Sequence, residues 1–198
     1  MIISMSKESM CKESIAITNR NLAKNEYLLQ IQKILQHHPR ALILREKDLD
    51  DDAYEMLAQS VLTLCRQYEV PMLLHGHIET GPRIDCDAIH LPFAQFCKYA
   101  VESDLLSAYR IRSVSCHSLA DSLEAERLGA TQIVLGTIFE TECKPGLAGR
   151  GIQFVREVCS ACRIPVYAIG GIKPDNLQSI LDAGAAGGCM MSWFMQLP

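Results

Sequence analysis

Apolar runs of four or five residues recur along the chain, separated by longer stretches in which apolar residues return at helical spacing. The runs are Ser14 to Thr18, Ala41 to Leu44, Met72 to Leu74, Ala88 to Leu91, Ser113 to Ser115, Gln132 to Leu135, Val166 to Ile169 and Gly188 to Met191. Between them, Asp51 to Tyr68, Leu119 to Leu128, Ile152 to Cys162 and Pro174 to Ala183 carry a helical pattern. Pro174 suits a first helical turn, and Gly129 and Gly184 suit the position just past a helix end. Strands alternating with helices imply βα units on a parallel sheet, and eight strands suit a closed (β/α)8 TIM barrel. An open doubly wound sheet would want a glycine-rich loop after its first strand, where this chain has Thr18-Asn19-Arg20-Asn21. A single domain over 1–198 is expected, with 1–13 as an N-terminal extension. Only Trp193 to Pro198 follow the last strand, so the closing helix is truncated and that wall needs other cover.

In such a barrel the chemistry sits at the C-terminal ends of the strands, and here those ends are polar or glycine-rich. The fifth ends in Ser115-Cys116-His117, and the sixth is followed by Thr141-x-x-Lys144 with Gly146, Gly149 and Gly151 beyond it. His117 is the candidate general acid/base, because imidazole exchanges protons near neutral pH. Its alternative role is a helix cap or core histidine. Ser115, two residues back along a strand, would face the same side. Gly170-Gly171 and Met191-Ser192 end the seventh and eighth strands, where barrels commonly bind phosphate through backbone N–H groups and a helix N-terminus. Arg45-Glu46-Lys47 end the second, with Arg45 and Lys47 candidates for anion contact and Glu46 expected to hold Arg45 or pair with Lys47. Lys144 is the corresponding cation of the sixth loop and Thr141 its hydroxyl.

Composition narrows the partners. A formal charge of −4, with scattered lysines and arginines, gives no footprint for nucleic acid. No apolar run approaches the roughly 20 residues of a membrane span. The opening residues lack a signal-peptide core, so the nine cysteines read as reduced thiols of a cytoplasmic protein. Cys159-x-x-Cys162 falls in a helix without a second pair at zinc spacing, and His75, His77 and His90 have no acidic or cysteine partner at supporting spacing, so no metal site is expected.

At these residues the chain resembles the thiamine phosphate synthase/TenI family of (β/α)8 barrels from about Ser14 to Ser192. The Leu-Arg-Glu-Lys strand end, the Ser-x-His triplet, the Phe-x-Thr-x-x-Lys loop and the Ala-Ile-Gly-Gly-Ile turn occur in order. Synthases resemble one another in a Gln-x-Arg-x-Lys strand end, Asn-Asp after the third strand and Gly-Gln-x-Asp after the fourth. Here Ile43 replaces the glutamine, His75-Gly76 the Asn-Asp pair, and Pro92-Phe93-Ala94-Gln95 the last stretch. Both carboxylates that hold magnesium pyrophosphate in the family are therefore absent, whereas Gly76, Leu91-Pro92 and the stretch from Phe139 to Gly151 look like the TenI branch. The resemblance then implies a thiazole tautomerase of thiamine biosynthesis that acts on a small phosphorylated thiazole through His117, without a cofactor. The alternative is a thiamine phosphate synthase joining a pyrimidine pyrophosphate to a thiazole phosphate, with magnesium. A non-catalytic phosphate-ligand barrel is the second alternative. At the truncated end Trp193, Phe194, Met195 and Leu197 must pack on the exposed edge or against another subunit, and a homodimer that buries this edge is expected.

Overall fold

The computed structural model describes residues 7–141, 146 and 148–198. Eight strands, β1 (Ser14–Ile17), β2 (Ala41–Leu44), β3 (Met72–His75), β4 (Ala88–Pro92), β5 (Ile111–Cys116), β6 (Gln132–Gly136), β7 (Val166–Ile169) and β8 (Gly187–Met190), close in sequence order into one barrel. Every neighbouring pair is parallel, and β8 closes on β1 through the pairs Ser14 with Gly188 and Ala16 with Met190. The helices are α1 (Lys7–Lys12), α2 (Tyr27–Leu35), α3 (Asp51–Gln67), α4 (Thr80–Ile84), α5 (Phe93–Glu102), α6 (Leu119–Arg127), α7 (Gly151–Ala161), α8 (Leu177–Leu181) and α9 (Ser192–Met195).

Period-two alternation divides each strand between two cores. Ile15, Ile17, Ile43, Leu73, Val134, Tyr167 and Cys189 fill the barrel interior. Their sequence neighbours Leu42, Leu44, Leu74, Ile89, Val114 and Leu135 face outward and pack beneath the helices. The apolar runs are continuous because both faces are buried. The same alternation sends Arg45, His75, His90, Ser113 and Ser115 inward, where they meet the mouth of the barrel.

The sequence pattern finds every strand, β2 and β7 with the observed limits, but it misses α2 and α5. Both lack an ordinary start signal: Glu26, an uncommon cap, accepts from Leu28 and Leu29 at 3.3 and 3.1 Å, and α5 follows Pro92 with no side-chain cap. α8 is shorter than expected and begins at Leu177 rather than Pro174. Asn176 explains this. Its side chain accepts from the Lys173 N–H at 2.8 Å and donates to Gly171 O at 2.9 Å, holding Lys173 to Asn176 as a turn in competition with the helix. Gly129 and Gly184 do end their helical turns, at φ +93° and +96°.

The uncovered wall is closed from within the chain. Phe194, Met195 and Leu197 are buried, and the Gln30 amide of α2 donates to Phe194 O at 3.1 Å. These side chains, which motivated a partner subunit at this edge, are spent on the fold itself. Among the described residues no helix is long and apolar enough to cross a membrane.

Candidate active site

The polar centre of the barrel is His90, on the inner face of β4. Its Nδ1 lies 2.9 Å from Ser113 Oγ and its Nε2 2.8 Å from Ser115 Oγ, so two serines of β5 grip both ring nitrogens. Register puts them there, since His90 pairs with Ser113 across the β4–β5 ladder. Burial, and then the nearby His75, press the His90 pKa down to about 3. The ring is therefore neutral at physiological pH. A neutral imidazole donates from one nitrogen and accepts at the other, so one serine must donate to the ring and the other receive from it. When Ser113 donates to Nδ1, Nε2–H is given to Ser115 and the Ser115 hydroxyl proton is left for a ligand at the mouth.

His75, half-buried at the end of β3, faces His90 with ring centroids 5.5 Å apart. Burial, then Lys47, then Arg45 lower its pKa to about 4, which places both β2 cations near this ring. Lys47 is exposed, and among the described residues the half-buried Arg45 guanidinium meets no carboxylate. Glu46 does not hold Arg45, as the charge pattern suggests; it turns the other way and is buried. Its carboxylate accepts from Thr18 Oγ1 at 2.7 Å, Tyr27 OH at 2.8 Å and the Arg20 N–H at 3.1 Å. Neighbours in a strand point to opposite faces, so Glu46 anchors the outside of the mouth while Arg45 stays within it. Tyr54 braces β2 against β3, donating to Leu44 O at 2.7 Å and accepting the His75 N–H at 2.9 Å. Its ring stacks on His77 at 3.8 Å, and His77 Nδ1 contacts Asp51 at 2.7 Å. His77 thus belongs to the α3 surface and not to a shared cluster with His90.

His117 stands just past β5, exposed, with Nδ1–H donating to Gly136 O at 2.7 Å. A carbonyl can only accept, so Nδ1 carries the proton and the ring is oriented with Nε2 away from the Gly136 strand end. The Arg150 guanidinium donates to the His117 carbonyl and lies 3.8 Å from the Phe154 ring centroid. At the neighbouring strand end, past β7, Gly170 and Gly171 adopt φ +100° and +63°. A Cβ on Gly171 would sit 2.6 Å from Glu140 O, so the turn requires glycine. Among the described residues neither glycine amide has a protein acceptor. The helices that begin beside them are short: α8 starts at Leu177 and has five residues, and α9, which starts at Ser192, has four. Any anion there is met by loop amides, since the dipole of so short a helix is small. Met191 lines this rim with its sulfur 3.8 Å from the Asn19 amide. Thr141 borders the loop, and Lys144 lies outside the described residues.

The geometry therefore gathers Arg45, His75, His90, Ser115 and His117 along one half of the mouth and Gly170, Gly171, Met191 and Ser192 along the other. Sequence reasoning weighs His90 only as a metal ligand and passes over Ser113. Counting in twos from Ala88, which fills the barrel, would have found His90 on the inner face.

A family model described as thiamine monophosphate synthase matches residues 14–194. The chain belongs to this family. A relative in Aquifex aeolicus provisionally named thiamine-phosphate synthase 2 is 33% identical over 181 residues, covering 91% of this chain and 96% of the relative. The thiamine-phosphate synthase of Halalkalibacterium halodurans is 32% identical over 158 residues, 76% of this chain and 72% of that one. A thiamine phosphate pyrophosphorylase from Pyrococcus furiosus superposes with a TM-score of 0.79 at 24% identity, covering 95% and 89%, and supports the fold.

These findings correct the tautomerase expectation: the relatives that match over most of their length carry the synthase name. That expectation rested on two replaced carboxylate positions and on the likeness of Gly76, Leu91-Pro92 and the stretch from Phe139 to Gly151 to the TenI branch. The carboxylate positions report how a metal is held, not which bond the site makes, and the short matching stretches are outweighed by relatives alike over most of the chain.

Proposed function

We propose that the chain is a thiamine-phosphate synthase, a transferase that joins a pyrimidine pyrophosphate to a thiazole phosphate. The observation that carries this reading is the run of relatives bearing that name, at 27–33% identity across most of the barrel. The coupling breaks a carbon–oxygen bond to pyrophosphate and forms a carbon–nitrogen bond to the thiazole. The site must then orient two rings and stabilise a departing polyanion. Arg45 and Lys47 lie on the side of the mouth suited to the pyrophosphate. The Gly170 and Gly171 amides suit the phosphate of the second substrate. Ser115, set by His90 and Ser113, offers a directed hydroxyl between them. His75 and His90 are neutral and act by hydrogen bonding. No proton leaves carbon in this reaction, so it asks for no base at His117, whose ring the Gly136 bond orients at the mouth.

Magnesium, which the family uses, finds a poor donor set here. At the strand ends where carboxylates would hold it stand His75, Gly76 and Gln95, while the oxygens of Glu46 are occupied by Thr18, Tyr27 and Arg20. Among the described residues no three His, Cys, Asp or Glu side chains converge as a metal site. Hard divalent cations want several oxygen ligands, and these residues do not fit one.

The test is direct. Purified protein incubated with both phosphorylated substrates, with magnesium and with EDTA in parallel, should form thiamine phosphate in at least the magnesium arm. No product in either arm overturns the assignment.

A further inference from the structure

The barrel has a second opening. At the N-terminal ends of the strands, opposite the mouth described above, lies a cavity of about 530 Å³. Most of that end of a barrel is normally filled by side chains. Here the inward position of β2 is only Ala41, so the apolar floor formed by Ile15 and Leu73 remains open to the outside. The rim is basic: Lys12 at the end of α1, and His38 and Arg40 on the loop entering β2. No acidic residue lines the space among the described residues. The Arg40 guanidinium has no carboxylate or hydrogen-bond partner among them either. Gln132 adds an amide from β6.

We propose that this end of the barrel is a second binding site, for a phosphate monoester with a small apolar body. Three features lead to that class. The volume falls within the roughly 300–1,000 Å³ typical of small-molecule sites. The interior is apolar and suits a ring or short alkyl group. The rim concentrates positive charge around one guanidinium whose planar donors match a phosphate, and a doubly charged oxyanion uses it better than a carboxylate does. The inference stands on the cavity and its rim, independently of the reaction assigned to the other mouth.

Titration of phenyl phosphate into isotopically labelled protein tests it, with backbone amide shifts as the readout. Saturable shifts at Arg40, Ala41, Leu73 and Gln132 are expected, distinct from any at Gly170 and Gly171. A double variant, His38→Gln with Arg40→Gln, changes two surface side chains and should keep the fold. It should weaken binding at this end by about tenfold or more, the scale of losing the charge-assisted Arg40 contact, and leave the Gly170 and Gly171 shifts as they were. Ala41→Leu should block the same site by filling it. Benzoate should bind more weakly than phenyl phosphate. Shifts confined to the Gly170 end, or shifts at Arg40 that the double variant does not weaken, overturn the site; benzoate binding as tightly as phenyl phosphate overturns its assignment to phosphate monoesters.

Discussion

The inner face of this barrel has two unlike halves. From β7 through β8 and β1 to β2 it is apolar, with Tyr167, Cys189, Ile15, Ile17 and Ile43 packed side by side. From β3 to β5 it turns polar towards the top, where His75, His90, Ser113 and Ser115 occupy positions that a purely structural barrel fills with branched aliphatics. The buried groups of the polar half are satisfied, since no buried side-chain nitrogen or oxygen lacks a hydrogen-bond partner among the described residues. Satisfaction makes such groups tolerable without making them strongly stabilising. The aliphatic packing of β7 to β2 therefore carries the fold, whereas the polar side chains of β3 to β5, like the strand-end residues Arg45, Gly170 and Gly171 above that packing, are available to a ligand, so substitutions in the two layers should separate stability from activity.

The largest stability effect belongs to the apolar half. Ile43→Ala removes a fully buried side chain at the centre of the interior and should cost about 3 kcal/mol, the usual scale for such a cavity. Urea unfolding would measure it. A loss below about 1 kcal/mol would mean that the interior is loosely packed on that side.

His90→Leu should cost less, about 1–3 kcal/mol, because it leaves the Ser113 hydroxyl buried without a partner. Adding Ser113→Ala should recover much of that stability by removing the orphaned group. Activity should behave in the opposite way. Both variants, and Ser115→Ala with them, should lower product formation by about 10²-fold, the scale of losing one directed donor in a dry site. If the double variant recovers turnover along with stability, His90 is a packing residue and the two halves are alike.

The β4–β5 face also shows how much could be read in advance. The apolar runs located all eight strands, because burial on both faces leaves a signal that needs no knowledge of partners. Arg45, Ser115 and Gly170 were found as polar or flexible residues at strand ends. His90 was visible only through parity, as an inward position two residues beyond Ala88, and Ser113 has no meaning until register sets it beside that ring. Glu46 was misjudged because charge pattern ignores facing: adjacent in sequence to Arg45, it lies on the other side of the strand. The choice between reactions was not legible from the replaced carboxylates or from the TenI-like stretches at Gly76, Leu91-Pro92 and Phe139 to Gly151.

Acid should expose the polar half selectively. His75 and His90 have pKa values held near 4 and 3, whereas an unfolded histidine takes its proton near 6.5. Above that pH both states are neutral and nothing is lost. As pH falls towards 4 the unfolded chain binds protons that the folded one refuses, so stability declines by about 1 kcal/mol per pH unit for each group. His90→Gln, which keeps a donor and an acceptor but cannot titrate, should remove about one such unit from the slope between pH 6 and pH 4. An unchanged slope would show that His90 titrates alike in both states.

The smallest stability effect should come from Arg45→Gln, and it tests where the polar half ends. Arg45 is inward, half-buried and without a carboxylate among the described residues, so removing its charge should move stability by no more than about 0.5 kcal/mol. Two other quantities should move. The KM for the pyrophosphate substrate should rise by about tenfold through loss of a charge-assisted contact, while that for the thiazole phosphate, assigned in the proposal to the Gly170 and Gly171 amides, should stay near its original value. Arg45 is also one of the two cations that depress His75, so its removal should raise the His75 pKa, which a histidine NMR titration reads directly. The two readouts fail separately. A raised pKa with both KM values unchanged would leave Arg45 beside His75 but outside the substrate path, and the boundary of the binding half would then lie at β3.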